Sequence, residues 1–217
     1  MKSKAKTQFI LGALLFILFI IYTVSLNLVD IKPIGPNGSC VAYAGINRAI
    51  HSFFGVNMML YNITDWAGVA AILVVLGFAI LGLVQWTKRK SILRVDASIL
   101  ILGAFYIVVF SGYAFFEFVV INHRPVLING VLEASYPSST TMLALCVMPT
   151  AMMQFNRLIS NSIIKNSVNI LCTIFTAFMV VGRLISGVHW FTDILGGLIF
   201  SAAVILIYCA VVSCTEK

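Results

Sequence analysis

Three ionisable residues near the C-terminus, Arg183, His189 and Asp193, lie in an otherwise strongly apolar sequence. Charged side chains inside a bilayer cost several kcal/mol unless they are paired, hydrated or functional. His189 and Asp193 are four residues apart, so on a helix they share one face and the carboxylate can orient the imidazole. An oriented imidazole beside a fixed guanidinium is suited to attack on a phosphate. This segment therefore predicts an enzyme.

The composition indicates an integral membrane protein. Hydrophobic residues make up 61% of the 217 residues and charged residues 10%, whereas soluble domains contain about 45–50% apolar and about 25% charged residues. A chain of this length has room for about six spans joined by short loops. We therefore expect one all-α, polytopic domain over residues 1–217. The five cysteines show no metal-like spacing, and no metal site is predicted.

Six apolar segments are candidates for membrane-spanning helices. They cover about residues 8–29, 66–87, 97–121, 138–155, 167–185 and 193–214. A short helix on the membrane surface is expected within residues 40–54, and residues 156–166 are expected to form a loop.

Lysine and arginine residues are distributed unevenly between the two sides that this topology defines. Ten lie in segments on the side of both termini: Lys2, Lys4, Lys6, Lys88, Arg89, Lys90, Arg94, Arg157, Lys165 and Lys217. The other four are Lys32, Arg48, Arg124 and Arg183. Because cytoplasmic loops are enriched in these residues, both termini are predicted to be cytoplasmic. The net charge of +7 then indicates contact with anionic lipid headgroups and no nucleic-acid partner.

The predicted topology also brings distant polar residues to one face of the membrane. Arg124, the turn at residues 137–139, Arg183, His189 and Asp193 all follow or precede spans on the side opposite the termini. We therefore expect them to converge on one extracytoplasmic site.

These residues resemble the motifs of the type 2 phosphatidic acid phosphatase superfamily, whose fold is shared with vanadium haloperoxidases. The family carries Lys-x6-Arg-Pro, then Pro-Ser-Gly-His, then Ser-Arg-x5-His-x3-Asp. The chain matches the third motif at Arg183, His189 and Asp193, with Gly182 in the serine position. It matches the first at Arg124 and Pro125 and the second at Pro137 and Ser138. The resemblance implies a six-helix membrane bundle.

The resemblance also implies roles for individual residues. His189 would be the nucleophile that forms a phosphohistidine, with Asp193 holding its other nitrogen. Arg124 and Arg183 would bind the non-bridging phosphate oxygens, because a planar guanidinium binds phosphate bidentately and stays charged. Further phosphate-binding groups at a helix N-terminus would be Ser138, Ser139 and Thr140. Such chemistry needs no metal and no cofactor.

Two positions depart from the family pattern. Glu117 stands where the family has lysine, and Thr140 stands where it has the histidine that protonates the leaving oxygen. Threonine cannot donate a proton at pH 7, and general acid–base catalysis is typically worth about 10²–10⁴-fold.

Three interpretations of the missing histidine remain open. The leaving group of a diphosphate is already a good anion and needs little help. Alternatively another group, Glu117 or His123, supplies the proton, because burial can raise the pKa of a carboxyl group. Glu117 is equally suited to form an ion pair with Arg124 or Arg183. In the third interpretation the chain binds phosphorylated lipid without turnover.

The function predicted from the sequence is that of a metal-independent membrane phosphatase. Its expected substrate is a lipid phosphate or diphosphate, such as undecaprenyl diphosphate, phosphatidylglycerol phosphate or phosphatidate. The active site is expected at the extracytoplasmic face of a bacterial plasma membrane, where the family and the small size place the chain. A catalytically impaired lipid-binding homologue is the alternative. A transporter is disfavoured, because few charges lie within the spans outside this cluster. No oligomeric state is predicted.

Overall fold

The computed structural model describes residues 2–215. Lys217 and the side chain of Lys2, both counted in the predicted charge asymmetry, lie outside this description. Within it the chain forms seven α-helices and no strand. The helices are α1 (Lys2–Ser25), α2 (Ala44–Phe54), α3 (Met58–Arg89), α4 (Ala97–Phe118), α5 (Ser139–Leu158), α6 (Ser162–Ile185) and α7 (Phe191–Thr215). The predicted all-α fold is confirmed.

Five of the described helices, α1, α3, α4, α6 and α7, are long and apolar enough to cross a membrane. The helix at the fourth predicted span, α5, is not among them, so a count of six spans stays a prediction. It lies at the centre of the bundle and contacts α3, α4, α6 and α7. Its buried polar residues lower its hydropathy but are paired: Gln154 donates to the Tyr208 hydroxyl at 3.0 Å, and the Thr150 and Tyr106 hydroxyls are 3.2 Å apart.

The helix ends differ from the predicted spans where backbone capping, rather than hydropathy, decides them. The second span was predicted to begin at residue 66, but α3 begins at Met58 because the Asn57 side chain accepts from the Leu60 N–H at 2.9 Å. The Asn161 side chain similarly caps α6, so the loop predicted at 156–166 contracts to 159–161. The first span was predicted over residues 8–29, whereas the corresponding helix α1 begins and ends earlier, at Lys2 and Ser25.

The long helix α3 reaches beyond the hydrocarbon layer. Its 32 residues span about 48 Å, whereas a bilayer core of about 30 Å needs about 20 residues. Trp66, two turns from its start, is 78% exposed, as is typical of tryptophans at the membrane interface. Helix α3 is therefore longer than a bilayer core requires.

Helices α1 and α7 form the most extensively packed pair of the bundle, and they run antiparallel. The Tyr22 hydroxyl donates to the Thr192 carbonyl at one end, and Ser213 donates to the Gln8 side chain at the other. The start of α7 is thereby fixed at the same end as the starts of α3 and α5 and the ends of α4 and α6. The polar residues predicted to converge lie at this end.

Close packing of Gly196 against Tyr136 generates a stability prediction. A Cβ atom at Gly196 would lie 2.3 Å from the Tyr136 ring, which is buried against Phe19 and Phe116. Gly196→Ala is therefore expected to destabilise the protein by about 1–3 kcal/mol, measured as a lower melting temperature in detergent. Gly77→Ala is the matched control, because a Cβ there meets nothing within 4 Å and alanine favours the helix. Equal melting temperatures for the two variants would contradict the packing.

Candidate active site

Two short extended segments carry several side chains of the site. The Arg124 N–H donates to the Glu133 carbonyl at 3.0 Å, and the Ser135 N–H donates to the Asn122 carbonyl at 2.9 Å. Alternate side chains of an extended segment point to the same side, and directly paired residues share it. Asn122, Arg124, Glu133 and Ser135 therefore face one region, whereas His123 lies between two of them on the opposite side.

The loop at residues 186–190, between α6 and α7, positions His189. Gly187 has φ +64°, and a Cβ there would lie 1.8 Å from the Gly55 carbonyl oxygen, so only glycine fits. The Asn57 N–H donates to the Ser186 carbonyl at 2.9 Å. The ends of α2 and α3 thus hold the loop in place.

The hydrogen bonds of His189 assign its tautomer. Its Nε2 atom lies 3.1 Å from Arg124 Nη1, and because a guanidinium can only donate, Nε2 is the unprotonated acceptor. The proton is therefore on Nδ1, which donates to the Ser135 carbonyl at 3.2 Å and lies 3.0 Å from the Ser135 hydroxyl. The side chain is 3% exposed. An imidazole in this state carries its reactive lone pair on Nε2.

Asp193 reaches His189 through a serine and not directly. Its Oδ2 atom is 3.9 Å from His189 Nδ1, too far for a hydrogen bond, so the predicted direct contact is wrong. The Ser135 hydroxyl donates to Oδ2 instead, the Trp190 N–H donates to it at 2.9 Å and Asn122 donates to Oδ1 at 3.1 Å. The reason is that His189 precedes α7, so helical i,i+4 geometry does not apply to this pair.

Two buried guanidiniums lie over one aromatic ring. The Arg183 and Arg124 guanidinium carbons are 4.7 and 5.7 Å from the centre of the Tyr61 ring, within the range of cation–π attraction. Arg183 is 1% exposed and donates to Asp65 Oδ1 at 2.6 Å through Nη2. The same nitrogen contacts the Thr140 hydroxyl. Arg124 pairs with Glu133, with 3.0 Å between Nε and Oε2.

Both guanidiniums retain unused hydrogen-bonding capacity. The Nε atoms of Arg124 and Arg183 are buried and make no hydrogen bond. The Arg124 Nε is close to the Glu133 carboxylate, but its N–H does not have hydrogen-bond geometry. Because buried donors without partners are costly, the two arginines are poised to bind a further anion.

The three residues of the second motif that were predicted to bind phosphate have different surroundings in the structure. Ser138 is fully buried, its N–H donates to the Asp193 carbonyl and its hydroxyl accepts from Thr141. The N–H and the hydroxyl of Ser138 are therefore both engaged in hydrogen bonds within the protein. Ser139, the first residue of α5, lines two adjoining cavities, and Thr140 contacts Arg183.

The two predicted alternative acids are separated by the structure. Glu117 is exposed and lines a small cavity together with Arg124, Ser139 and His189. It forms no ion pair with either arginine, so the predicted pairing is wrong; Glu133 and Asp65 take that role. His123 does not line the cavity, and its carbonyl accepts from the Trp190 indole.

Five residues of the site were not identified from the sequence: Tyr61, Asp65, Asn122, Glu133 and Ser135. Asn122 and Ser135 each stand two residues before a motif residue, a spacing that places them on the same side of an extended segment. Asp65 is an acidic residue in an apolar helix, a signal hidden by the predicted start of that span at residue 66.

The electrostatic environment of His189 leads to a pH prediction. Burial lowers the pKa of His189 well below its ordinary value of 6.5, and the charges of Arg124 and Arg183 lower it further. The unfolded chain therefore binds a proton near pH 6.5 that the folded protein excludes, and the free energy of unfolding falls as the pH decreases below about 6.5. This residue contributes up to about 1.4 kcal/mol per pH unit.

Thermal denaturation of the purified protein, followed between about pH 5 and 7.5, measures this loss. His189→Asn is expected to lose less stability than the wild type toward low pH. Identical pH slopes would contradict a buried neutral imidazole.

The bridge through Ser135 is tested by removing its hydroxyl. Ser135→Ala is expected to lower kcat for a phosphorylated lipid about fivefold with little change in KM, because a hydrogen bond of about 1 kcal/mol orients the imidazole. Ser135→Thr keeps a hydroxyl and is expected to retain more activity. Ser201→Ala, at a buried serine further along α7, is the control. Full activity of Ser135→Ala would show that the bridge is dispensable.

Comparisons with known proteins agree with this architecture. The model of the PAP2 superfamily matches residues 49–215, which include every residue of the site. The fold is similar to the crystal structure of a transmembrane PAP2-type phosphatidylglycerolphosphate phosphatase from Bacillus subtilis, with a TM-score of 0.59 and 20% identity over 95% of this chain and 97% of that chain. Comparison with curated proteins found no match. The chain is a multi-pass membrane protein that belongs to the PAP2 superfamily, and this membership supports a phosphatase of membrane lipids.

Proposed function

We propose that this protein hydrolyses the phosphate or diphosphate group of a membrane lipid through a phosphohistidine on His189. One arrangement carries the proposal. The unprotonated Nε2 of His189 lies beside the buried Arg124 guanidinium, and the buried Arg183 guanidinium, whose Nε makes no hydrogen bond, lies over the same tyrosine ring. A neutral imidazole next to a doubly cationic anion site is suited to attack on phosphorus.

Substrate binding itself releases the nucleophile. In the unliganded site the Arg124 Nη1 donor occupies the lone pair of His189 Nε2. A phosphate oxygen is a stronger acceptor for a guanidinium than a neutral imidazole is. The incoming phosphate therefore draws the Arg124 donor to itself and frees Nε2 for in-line attack.

The charge that develops on His189 is stabilised through Ser135. Attack by Nε2 makes the ring cationic, with its remaining proton on Nδ1. That proton is held by the carbonyl and hydroxyl of Ser135, and the hydroxyl in turn is held by the Asp193 carboxylate. The negative charge of Asp193 thus opposes the growing positive charge without direct contact.

A lipid substrate is supported by the surroundings of the site. A cavity of about 340 Å³ lies between α3, α4 and α5, with Asp65, Ser139 and Thr140 at its polar end and otherwise apolar lining. Phe110 also lines a second apolar cavity of about 920 Å³ further along α3 and α4. A phosphorylated headgroup between the arginines would leave its tail along this apolar path.

The distribution of basic residues supports an extracytoplasmic site. The basic residues at the end of α3, at the start of α4 and at the start of α6 lie at the end of the bundle opposite His189. By the bias of cytoplasmic segments toward Lys and Arg, that end and both termini are cytoplasmic. The active site then faces the outside of a bacterial plasma membrane.

Binding without turnover is the second candidate function. The Thr140 hydroxyl accepts from Arg183, and an aliphatic hydroxyl is too weak an acid to protonate a leaving alkoxide at neutral pH. The second motif can therefore help to bind phosphate without supplying this proton.

Phosphate release from defined lipids tests the proposal. Purified protein in detergent with EDTA is expected to release phosphate from at least one of polyprenyl diphosphate, phosphatidylglycerol phosphate and phosphatidate. His189→Ala is expected to abolish release, because it removes the proposed nucleophile, and Arg183→Lys to lower it by about 10²-fold or more through loss of the bidentate contact. His123→Ala is the matched histidine control and is expected to be active.

Acid quenching with a ³²P-labelled substrate is expected to trap an acid-labile phosphoenzyme that His189→Ala lacks. Saturable binding of the lipids with no release by the wild type would favour the second candidate, and the absence of both would overturn the phosphate site itself.

A further inference from the structure

The position of the lipid tail fixes where the leaving oxygen lies. If the proposed function holds, the leaving group of a phosphate monoester is the lipid alcohol, and its oxygen joins the phosphorus to the tail. With the tail in the apolar cavity between α3, α4 and α5, this oxygen lies at the polar end of that cavity. An alkoxide leaving there needs a proton from a residue that lines the same end.

Asp65 is the carboxylic acid that lines this cavity in the described part of the chain. Its Oδ1 atom is 2.6 Å from Arg183 Nη2, the nitrogen that also contacts the Thr140 hydroxyl. The phenol of Tyr113 is the other ionisable group of the lining, but a phenol is poorly matched to proton transfer near pH 7. Asp65 therefore stands next to the leaving oxygen.

The nucleophile approaches from a different side. His189 lines the neighbouring cavity with Arg124 and Glu117, and does not line the cavity of Asp65. Ser139 and Tyr113 line both cavities and therefore lie between them. In-line displacement requires attacking and leaving atoms on opposite sides of the phosphorus, and a headgroup held between the two cavities would have His189 on one side and Asp65 on the other.

We propose that Asp65 is the general acid and base of this site. In the first step His189 Nε2 forms a bond to phosphorus, the bond from phosphorus to the lipid oxygen breaks, and that oxygen takes the electron pair and the carboxyl proton of Asp65. In the second step a water oxygen bonds to phosphorus and the phosphorus–nitrogen bond breaks, returning its electron pair to Nε2. The Asp65 carboxylate accepts the water proton, and the lipid alcohol and inorganic phosphate are the products.

The ion pair with Arg183 is compatible with this role. A phosphate bound to Arg183 competes with Asp65 for the donors of that guanidinium, which frees the Asp65 carboxyl group to act on the leaving oxygen. The side chain is 56% exposed. The proton that Asp65 donates in the first step is the one that it recovers from water in the second, so the two steps consume no net proton.

The other carboxylates near the arginines are less well placed. Glu133 pairs with Arg124, the arginine that contacts the nucleophile. Glu117 lines the cavity of His189. Both belong to the nucleophile's side of the phosphate, where no proton is needed in the first step.

The dependence of turnover on the leaving group tests the proposal. The leaving group of dodecyl phosphate is an alkoxide, which needs a proton. The leaving group of dodecyl diphosphate is dodecyl phosphate, which does not. Asp65→Asn keeps an oxygen acceptor for Arg183 but cannot donate a carboxyl proton. It is expected to lower kcat for the monophosphate by roughly 10²–10⁴-fold, and for the diphosphate by less than about tenfold.

Asp96→Asn is the matched control, because Asp96 is also exposed and paired with an arginine, Arg89, but lies at the opposite end of the bundle. It is expected to turn over both substrates at the wild-type rate. Asp65→Glu retains a carboxyl group and is expected to recover part of the monophosphate activity.

Three outcomes distinguish the possibilities. Equal losses of Asp65→Asn on both substrates, with a raised KM, would mean that Asp65 only holds Arg183 and would overturn its role as acid. A selective monophosphate loss in Glu117→Gln instead would assign the acid to Glu117 and would also overturn it. Absence of phosphate release from both substrates by the wild type would overturn the proposed hydrolysis itself.

Discussion

The burial of two like charges next to each other is the constraint around which the site is built. Arg124 and Arg183 lie over the same tyrosine ring, one almost and the other fully buried. Each guanidinium loses hydration and repels the other, at a cost that is recovered only through specific partners. Glu133 and Asp65 supply one carboxylate each, and the face of Tyr61 supplies attraction to both. An anion between the arginines would satisfy the donors that these partners leave unused.

The protonation state of His189 follows from the same pair of charges. Two neighbouring cations and full burial oppose protonation of His189, and the Arg124 donor fixes the lone pair on Nε2. The counter-charge of Asp193 is kept one hydroxyl away, behind Ser135. A direct contact would favour the imidazolium, whereas the arrangement bridged by Ser135 is compatible with a neutral ring.

The sequence predicted the fold class and the convergence of polar residues more reliably than it predicted their contacts. Span parity alone indicated that Arg124, Arg183 and His189 meet at one end of the bundle, because each lies at the end of a helix. Contacts that depend on local backbone were missed or wrong. The spacing of His189 and Asp193 suggested a shared helical face, but the helix begins only at Phe191. The predicted start of the second span hid Asp65, because hydropathy marks the lipid-facing segment while the Asn57 cap decides where the helix begins.

The departures from the family motifs are physically connected through the contact of α3 with α6. A Cβ atom at Gly182 would lie 2.7 Å from Thr64 Cγ2, so the serine expected at this position has no room and glycine lets the helices approach. The neighbours of these two residues are Asp65 and Arg183, and the same approach brings their side chains to 2.6 Å. Thr140 then occupies the remaining space beside Arg183, with its methyl group near Gly68. Gly182, Asp65 and Thr140 are thus coupled through Arg183, which follows Gly182 in α6 and contacts the Asp65 carboxylate and the Thr140 hydroxyl.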